Sequence, residues 1–290
     1  MNLAEYDSNR QMIDTESGPV AYVDIGSRRP ALFVHGVGTS GLLWRNVIGE
    51  LKDERRCIAL DLPLHGRTPV RPDQDLSLTG LAKVVEDFCA ALDLTGLDLV
   101  ANDTGGAVAQ IVAVHQPERL ATLTLTNCET QGNVPPPKFK PTVLLARAGL
   151  LTLLMGPRLL RNLPATRKRF AGMAFQDIDN LPLDVLRAYL EPLVGTKDRA
   201  KQYQRWIASL HNRDLVAVEP ALKRLTVPTL MVWGTDDAFF KLRHAHWLRE
   251  TIPGATGVVT VDGGRLFFPD ERAADLVTHL RAHWAAHPAD

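Results

Sequence analysis

Cysteine is scarce: Cys57, Cys89 and Cys128 are the only three in 290 residues, and they lie far apart. That excludes a disulfide framework and a thiolate metal site. Cys57 and Cys128 each stand in an apolar run and read as small buried side chains. Net charge is missing too. Lys plus Arg and Asp plus Glu number 33 each, which leaves no electrostatic footprint for nucleic acid and no polybasic anchor for an acidic membrane. No apolar run reaches the roughly 18 residues that would span a bilayer, and the start, MNLAEYDSNRQ, lacks the apolar stretch of a secretory leader. Residence in the cytoplasm is the expectation. The nine histidines form no H-E-x-x-H helix and no metal set, so neither a metal nor a cofactor is expected. The partner left by these exclusions is a small-molecule substrate, with a homodimer left open.

What is present suits one large domain, or one domain carrying an insertion: 45% hydrophobic and 23% charged residues in a chain long enough to bury a full core. Runs of strand length, apolar on both sides, begin at Pro19, Ala31, Cys57, Leu97, Leu120, Thr229 and Thr256. Helical patterns separate most of them, among them SLTGLAKVVEDFCAALDL with a Ser77 or Thr79 cap, GGAVAQIVAVHQPERL and DERAADLVTHLRAHW. The alternation predicts an α/β fold, a mainly parallel sheet with helices on both faces. From Gln131 to Leu225 no strand pattern appears, only helical stretches such as PTVLLARAGLLTLLMG and RAKQYQRWIASL. This predicts a helical cap, residues 131–225, inserted between core segments 1–130 and 226–290. The Leu-rich part, Leu144 to Leu154, reads first as a helix over a pocket and second as one lying on a membrane.

LDLVANDTGGAVAQ is a strand, a tight turn and a helix, with Asp103 at the turn. Small neighbours two positions to either side, Ala101 and Gly105, allow so sharp a turn, which pushes the middle side chain out above the sheet. A carboxylate there can attack an alkyl carbon and form an ester. The competing reading is a plain aspartate N-cap. His35 and Gly36 follow a strand directly, so the Val37 and Thr104 amides are candidates for an oxyanion hole.

The order HGVGTSGLLWR, DLPLHGRTP, ANDTGG, PERLATLTLTN and VWGTDDAFF resembles the α/β-hydrolase fold. Within it the chain is most similar to the branch with an aspartate nucleophile, the haloalkane dehalogenases and epoxide hydrolases. The resemblance covers Val20 to Asn127 and Val227 to the end; the cap matches only in position and helicity. It implies Asp103 as nucleophile, Val37 and Thr104 as oxyanion donors, and Asp237, rather than Asp236, as the acid that orients a base. Glu129 matches an alternative acid, with a solvated loop charge as the equal competing reading. Tyr203, in the cap with Tyr189 and Trp206, is the candidate to protonate an opening ring oxygen, although aromatics at helical spacing also serve packing.

The chain departs from that pattern at three positions. Val37 and Thr104 stand where dehalogenases commonly keep Asn and Trp to hold a halide, and neither offers a side-chain N–H. Arg265, in DGGRLFFPDE, stands where the resemblance implies the histidine that activates water, and a guanidinium accepts no proton. Three roles are open to it: a bridge between Asp103 and Asp237, a clamp on an anionic substrate group, or a side chain swung out of the site. His211 in a cap helix is the substitute base to consider, with His35 near the oxyanion loop. The expected activity is hydrolysis of a small, fairly apolar molecule, epoxide hydrolase-like or dehalogenase-like, with a non-standard base. The alternatives are non-hydrolytic chemistry (an isomerase, lyase or cyclase) and a ligand-binding protein that has lost turnover.

Overall fold

The computed structural model describes residues 1–288. Eight strands form one sheet: β1 (Arg10–Thr15), β2 (Gly18–Ile25), β3 (Pro30–Val34), β4 (Arg56–Leu60), β5 (Leu97–Asp103), β6 (Leu120–Cys128), β7 (Thr229–Gly234) and β8 (Ala255–Val261). Their spatial order is β1-β2-β4-β3-β5-β6-β7-β8. β2 pairs antiparallel with β1 and β4, and every other pairing is parallel. The central strands β5 and β7 are buried along their whole length, as continuous Val- and Leu-rich runs require of strands covered on both faces.

β1 was not legible as a strand, because RQMIDT is polar and sits at the sheet edge, where alternate residues face water. Ser77 is the cap of helix Leu78–Ala91, its hydroxyl accepting from the Gly80 amide. The stretch PTVLLARAGLLTLLMG is two helices, Lys140–Arg147 and Leu151–Leu154, rather than one. Gly149 between them takes φ +76°, a left-handed conformation that ends the first.

Two groups of helices pack as layers on the sheet. Arg45–Leu51 lies against Ala273–Ala286, while Leu78–Ala91 lies against Thr104–His115 and the latter against Arg213–Leu222. Between β6 and β7 the chain is helical, from Lys140 to Leu222. The chain reverses its direction of progress through the sheet at β3, whose neighbours are β4 on one side and β5 on the other. In an open α/β sheet the carboxyl ends of such strands leave a crevice. Here those ends lead into His35-Gly36-Val37 and into Asp103.

Candidate active site

Asp103 ends β5 and caps helix Thr104–His115 with φ 56° and ψ −135°. A side chain other than glycine is strained in this conformation, and packing must hold it there. Two glycines allow the packing. A Cβ on Gly105 would stand 2.5 Å from the Val34 carbonyl oxygen, and one on Gly36 would stand 2.3 Å from Asp103 Oδ2. With both absent, the β3 loop closes on the carboxylate, and the Val37 amide donates to Asp103 Oδ2 at 2.8 Å. The Thr104 amide, next in the chain, also favours the charged form. The two amides read as an oxyanion hole therefore act on the carboxylate itself.

Glu129, directly after β6, is buried beside this turn. Thr104 Oγ1 donates to Glu129 Oε1 at 2.9 Å, and Oε2 has no protein partner. The solvated-loop reading of Glu129 is thus replaced by a buried carboxyl held against the Asp103 turn, an arrangement that depends on a threonine hydroxyl 25 residues earlier in the chain. Burial, and then repulsion from Glu129, raises Asp103 well above the usual carboxylate range. Burial with a contribution from Asp237 raises Glu129 to about 7.

Asp237 is the buried member of the Asp236–Asp237 pair. It accepts from Asn127 Nδ2 at 2.7 Å and from the Phe239 and Phe240 amides at 2.6 and 3.2 Å, and burial raises it to about 6. Asn127 in turn binds the Gly234 amide and carbonyl, so Asp237 steadies the ends of β6 and β7. It is not among the residues that line the cavity.

Arg265 corrects two of the expectations. Its side chain lies neither between Asp103 and Asp237 nor in the cavity. Nε pairs with Asp236 at 3.1 Å, and Nη1 donates to the carbonyls of Gly172 and Phe175, both at 3.0 Å. It is swung out, yet it ties the segment after β8 to the helical insertion. The Phe267 amide, donating to the Ala174 carbonyl, is a second tie. Asn102 Nδ2 holds the Leu266 carbonyl at 3.0 Å, and Leu266 and Phe267 present apolar side chains to the cavity. Arg265→Ala is expected to lower stability by about 1 kcal/mol, since the ion pair is solvated and the two carbonyls can turn to water. It should leave the pH profile of turnover in place, which unfolding melts and a pH series would check; a moved profile would put the guanidinium at the reaction.

Of the other candidates, Tyr203 lines the cavity; burial, then the charge of Asp103, keeps its phenol protonated. Trp206 does not line it and packs on His65, ring centroids 5.1 Å apart, one helical turn behind. Tyr189 is buried in the core. His35 is buried, pushed down to about 4 by desolvation, and its Nε2 accepts from the Leu62 amide, so it braces two loops instead of meeting substrate. His211 is exposed and accepts from the Arg213 amide. Among the described residues no histidine lines the cavity and no cluster of metal-ligating groups occurs.

The cavity itself, about 360 Å³, is walled by Val37, Asp103, Glu129 and Tyr203 at its base and by Phe139, Leu145, Leu151, Leu159 and Phe170 from the insertion. Two carboxyls in a chamber whose walls are mostly apolar, with Lys138 and Arg169 also on its lining, suit a small and largely apolar ligand. A larger recess of about 650 Å³ beside Arg10, Arg67 and Glu191 contains neither carboxyl.

The comparisons with known proteins bear on the family and the fold. Over 287 residues, 94% of this chain and 87% of the relative, the sequence is 26% identical to a cis-3-alkyl-4-alkyloxetan-2-one decarboxylase of Shewanella oneidensis. It is 26% identical to haloalkane dehalogenase 2 of Mycobacterium bovis over 253 residues, 81% of each chain. The structure of the epoxide hydrolase CorEH without ligand superposes with a TM-score of 0.78, covering 96% of this chain and 98% of that one at 19% identity, a likeness of fold. The sequence profile of the alpha/beta hydrolase fold matches residues 30–272, and the chain belongs to that family.

Proposed function

We propose that this protein hydrolyses a small apolar electrophile through an ester on Asp103, with Glu129 supplying the acid and base work for which no histidine stands in the cavity. The observation that carries this reading is the pair itself: two buried carboxyls on one mostly apolar cavity, with Glu129 held by the Thr104 hydroxyl next to Asp103 and its Oε2 unpartnered. Two buried carboxyls whose charges repel, as these do, share one proton near neutrality. Burial weighs on both carboxyls, but a charge on Asp103 Oδ2 is met by the Val37 amide whereas Glu129 Oε2 has no partner, and on that geometry the shared proton is assigned to Glu129.

The chemistry then balances. An Asp103 oxygen attacks a carbon of the substrate, the bond to the leaving oxygen breaks with its electron pair, and Glu129 gives that oxygen its proton. Ester formation removes the charge on Asp103 that opposed ionisation of Glu129. Glu129, now ionised, takes a proton from water as the water oxygen attacks the ester carbonyl, whose oxygen receives the two amides. Collapse expels the alkoxide, which takes the proton left on Asp103. The site returns to ionised Asp103 and protonated Glu129. A ring oxygen suits this cycle better than a halide, because Val37 and Thr104 offer a halide no side-chain N–H. Epoxides and strained lactones, the latter related to the oxetanone in the relative's name, are the substrates to offer first.

A single turnover in ¹⁸O-labelled water tests this. The label should appear in the Asp103 carboxylate and be absent from the first product. Label passing straight into product with no adduct on Asp103 would overturn the ester. Product with no solvent oxygen in either place would favour the second reading, rearrangement or elimination without hydrolysis, which the absence of a cavity histidine among the described residues supports.

A further inference from the structure

The balance of charge holds for the whole chain and fails locally. Between Thr130 and Gln176 stand eight Lys and Arg and no Asp or Glu. Seven of the eight are exposed, and among the described residues only Arg167 has a carboxylate within ion-pair reach, that of Asp179. The same stretch carries most of the large apolar side chains left in water: Leu144 is 64% exposed, Leu150 46%, Leu153 63%, Leu154 56% and Met173 46%. Burying these leucines against the protein would have been the ordinary outcome for a helix over a pocket.

The two halves of the stretch, Lys140–Arg147 and Leu151–Arg161, are bent by 112°, so they form no straight span. A bent, amphipathic, cationic surface is the form that lies in a lipid interface: apolar side chains enter the acyl boundary and cations meet anionic headgroups. Its position ties it to the cavity, because Leu154 and Met173 are both exposed and cavity-lining, as are the cations Lys138 and Arg169. We propose that this face of the insertion docks on an anionic lipid surface and sets the mouth of the Asp103 cavity against it, so that an apolar substrate enters from the lipid. The proposal stands whether or not Asp103 forms an ester. A second copy of the chain is a poorer occupant, since a two-fold contact would oppose like charges, and a nucleic acid would leave the leucines uncovered.

The test is co-sedimentation of the full chain with phosphatidylcholine vesicles, with and without phosphatidylglycerol. Binding should require phosphatidylglycerol and fade toward about 1 M salt, where screening is nearly complete. Lys140→Glu, Arg158→Glu and Arg161→Glu together should weaken partitioning by about 100-fold; all three residues lie outside the cavity lining. Leu150→Glu with Leu153→Glu, also outside it, should release the protein as well, while both variants melt like the parent. The salt series on the unmodified chain needs no variant and guards against misfolding. No binding to anionic vesicles, or equal binding to neutral ones, overturns the proposal. So does a leucine variant that binds as before, and if that variant also retains binding to a single-stranded oligonucleotide, the face is a polyanion site instead.

Discussion

Asp103→Asn is expected to lower turnover by about 10⁴-fold or more and, at the same time, to stabilise the fold near neutral pH. The first effect follows from replacing the attacking oxygen with an amide, which cannot form the ester. The second follows from burial. Asp103 and Glu129 are both raised above their unfolded values, so the native state binds more protons than the unfolded one across the interval between them. A carboxyl raised in this way supports the fold fully below its unfolded pKa and loses that support as pH rises through its folded pKa. For Glu129 the window runs from the ordinary 4.5 to about 7, and for Asp237 from 3.8 to about 6. A shift of the size seen at Glu129 corresponds to about 3 kcal/mol. Stability of the unmodified protein should therefore fall between about pH 4 and pH 7, and the asparagine variant, which removes one of the two interacting charges, should flatten that fall. Urea melts at both ends of the window, run beside a kinetic assay, give both answers. Full turnover in the variant would remove Asp103 from the chemistry, and a loss of activity with an equal loss of stability would make it a structural residue.

The fold was legible because buried parallel strands announce themselves as short apolar runs, and the turn at Asp103 because only small neighbours permit it. In both cases the information is local. Arg265 shows where local reading stops. Its identity said that it cannot be a base, but its direction depends on the carbonyls of Gly172 and Phe175, and every residue has a carbonyl. The roles imagined for it inside the site assumed that a side chain after β8 must point where the resemblance puts an imidazole; the chain instead turns Leu266 and Phe267 inward. His35 and His211 failed as candidates for a similar reason, since one is occupied by the Leu62 amide and the other faces solvent. Glu129 went the other way. A charge between a strand and a proline-rich loop looks solvated in sequence, and only the parallel pairing of β5 with β6 brings it beside Thr104.

The variant that separates the two halves of the reaction is Glu129→Gln. Glutamine keeps the shape of the side chain and can still accept from Thr104 Oγ1, but it neither gives nor takes a proton at working pH. Loss of one general acid–base group costs about 10²- to 10⁴-fold, and the loss should fall unequally. Attack by Asp103 on a strained ring draws on the ring's own strain and on the Tyr203 phenol, which lines the same cavity, so the ester should still form. Its hydrolysis needs a base, and no histidine lines the cavity among the described residues. The ester should accumulate, visible in the intact mass as one substrate added and assigned to Asp103 by peptide mapping. Glu129→Asp, shorter by one methylene, should restore part of the second step without the full rate. If Glu129→Gln turns over normally with no adduct, another group activates the water, and Glu129 is a structural acid whose raised pKa reflects burial alone. If it forms no adduct and makes no product, the proton of Glu129 is needed in the first step. That outcome would make the acid role the dominant one and point to substrates whose leaving oxygen is too basic to depart unprotonated.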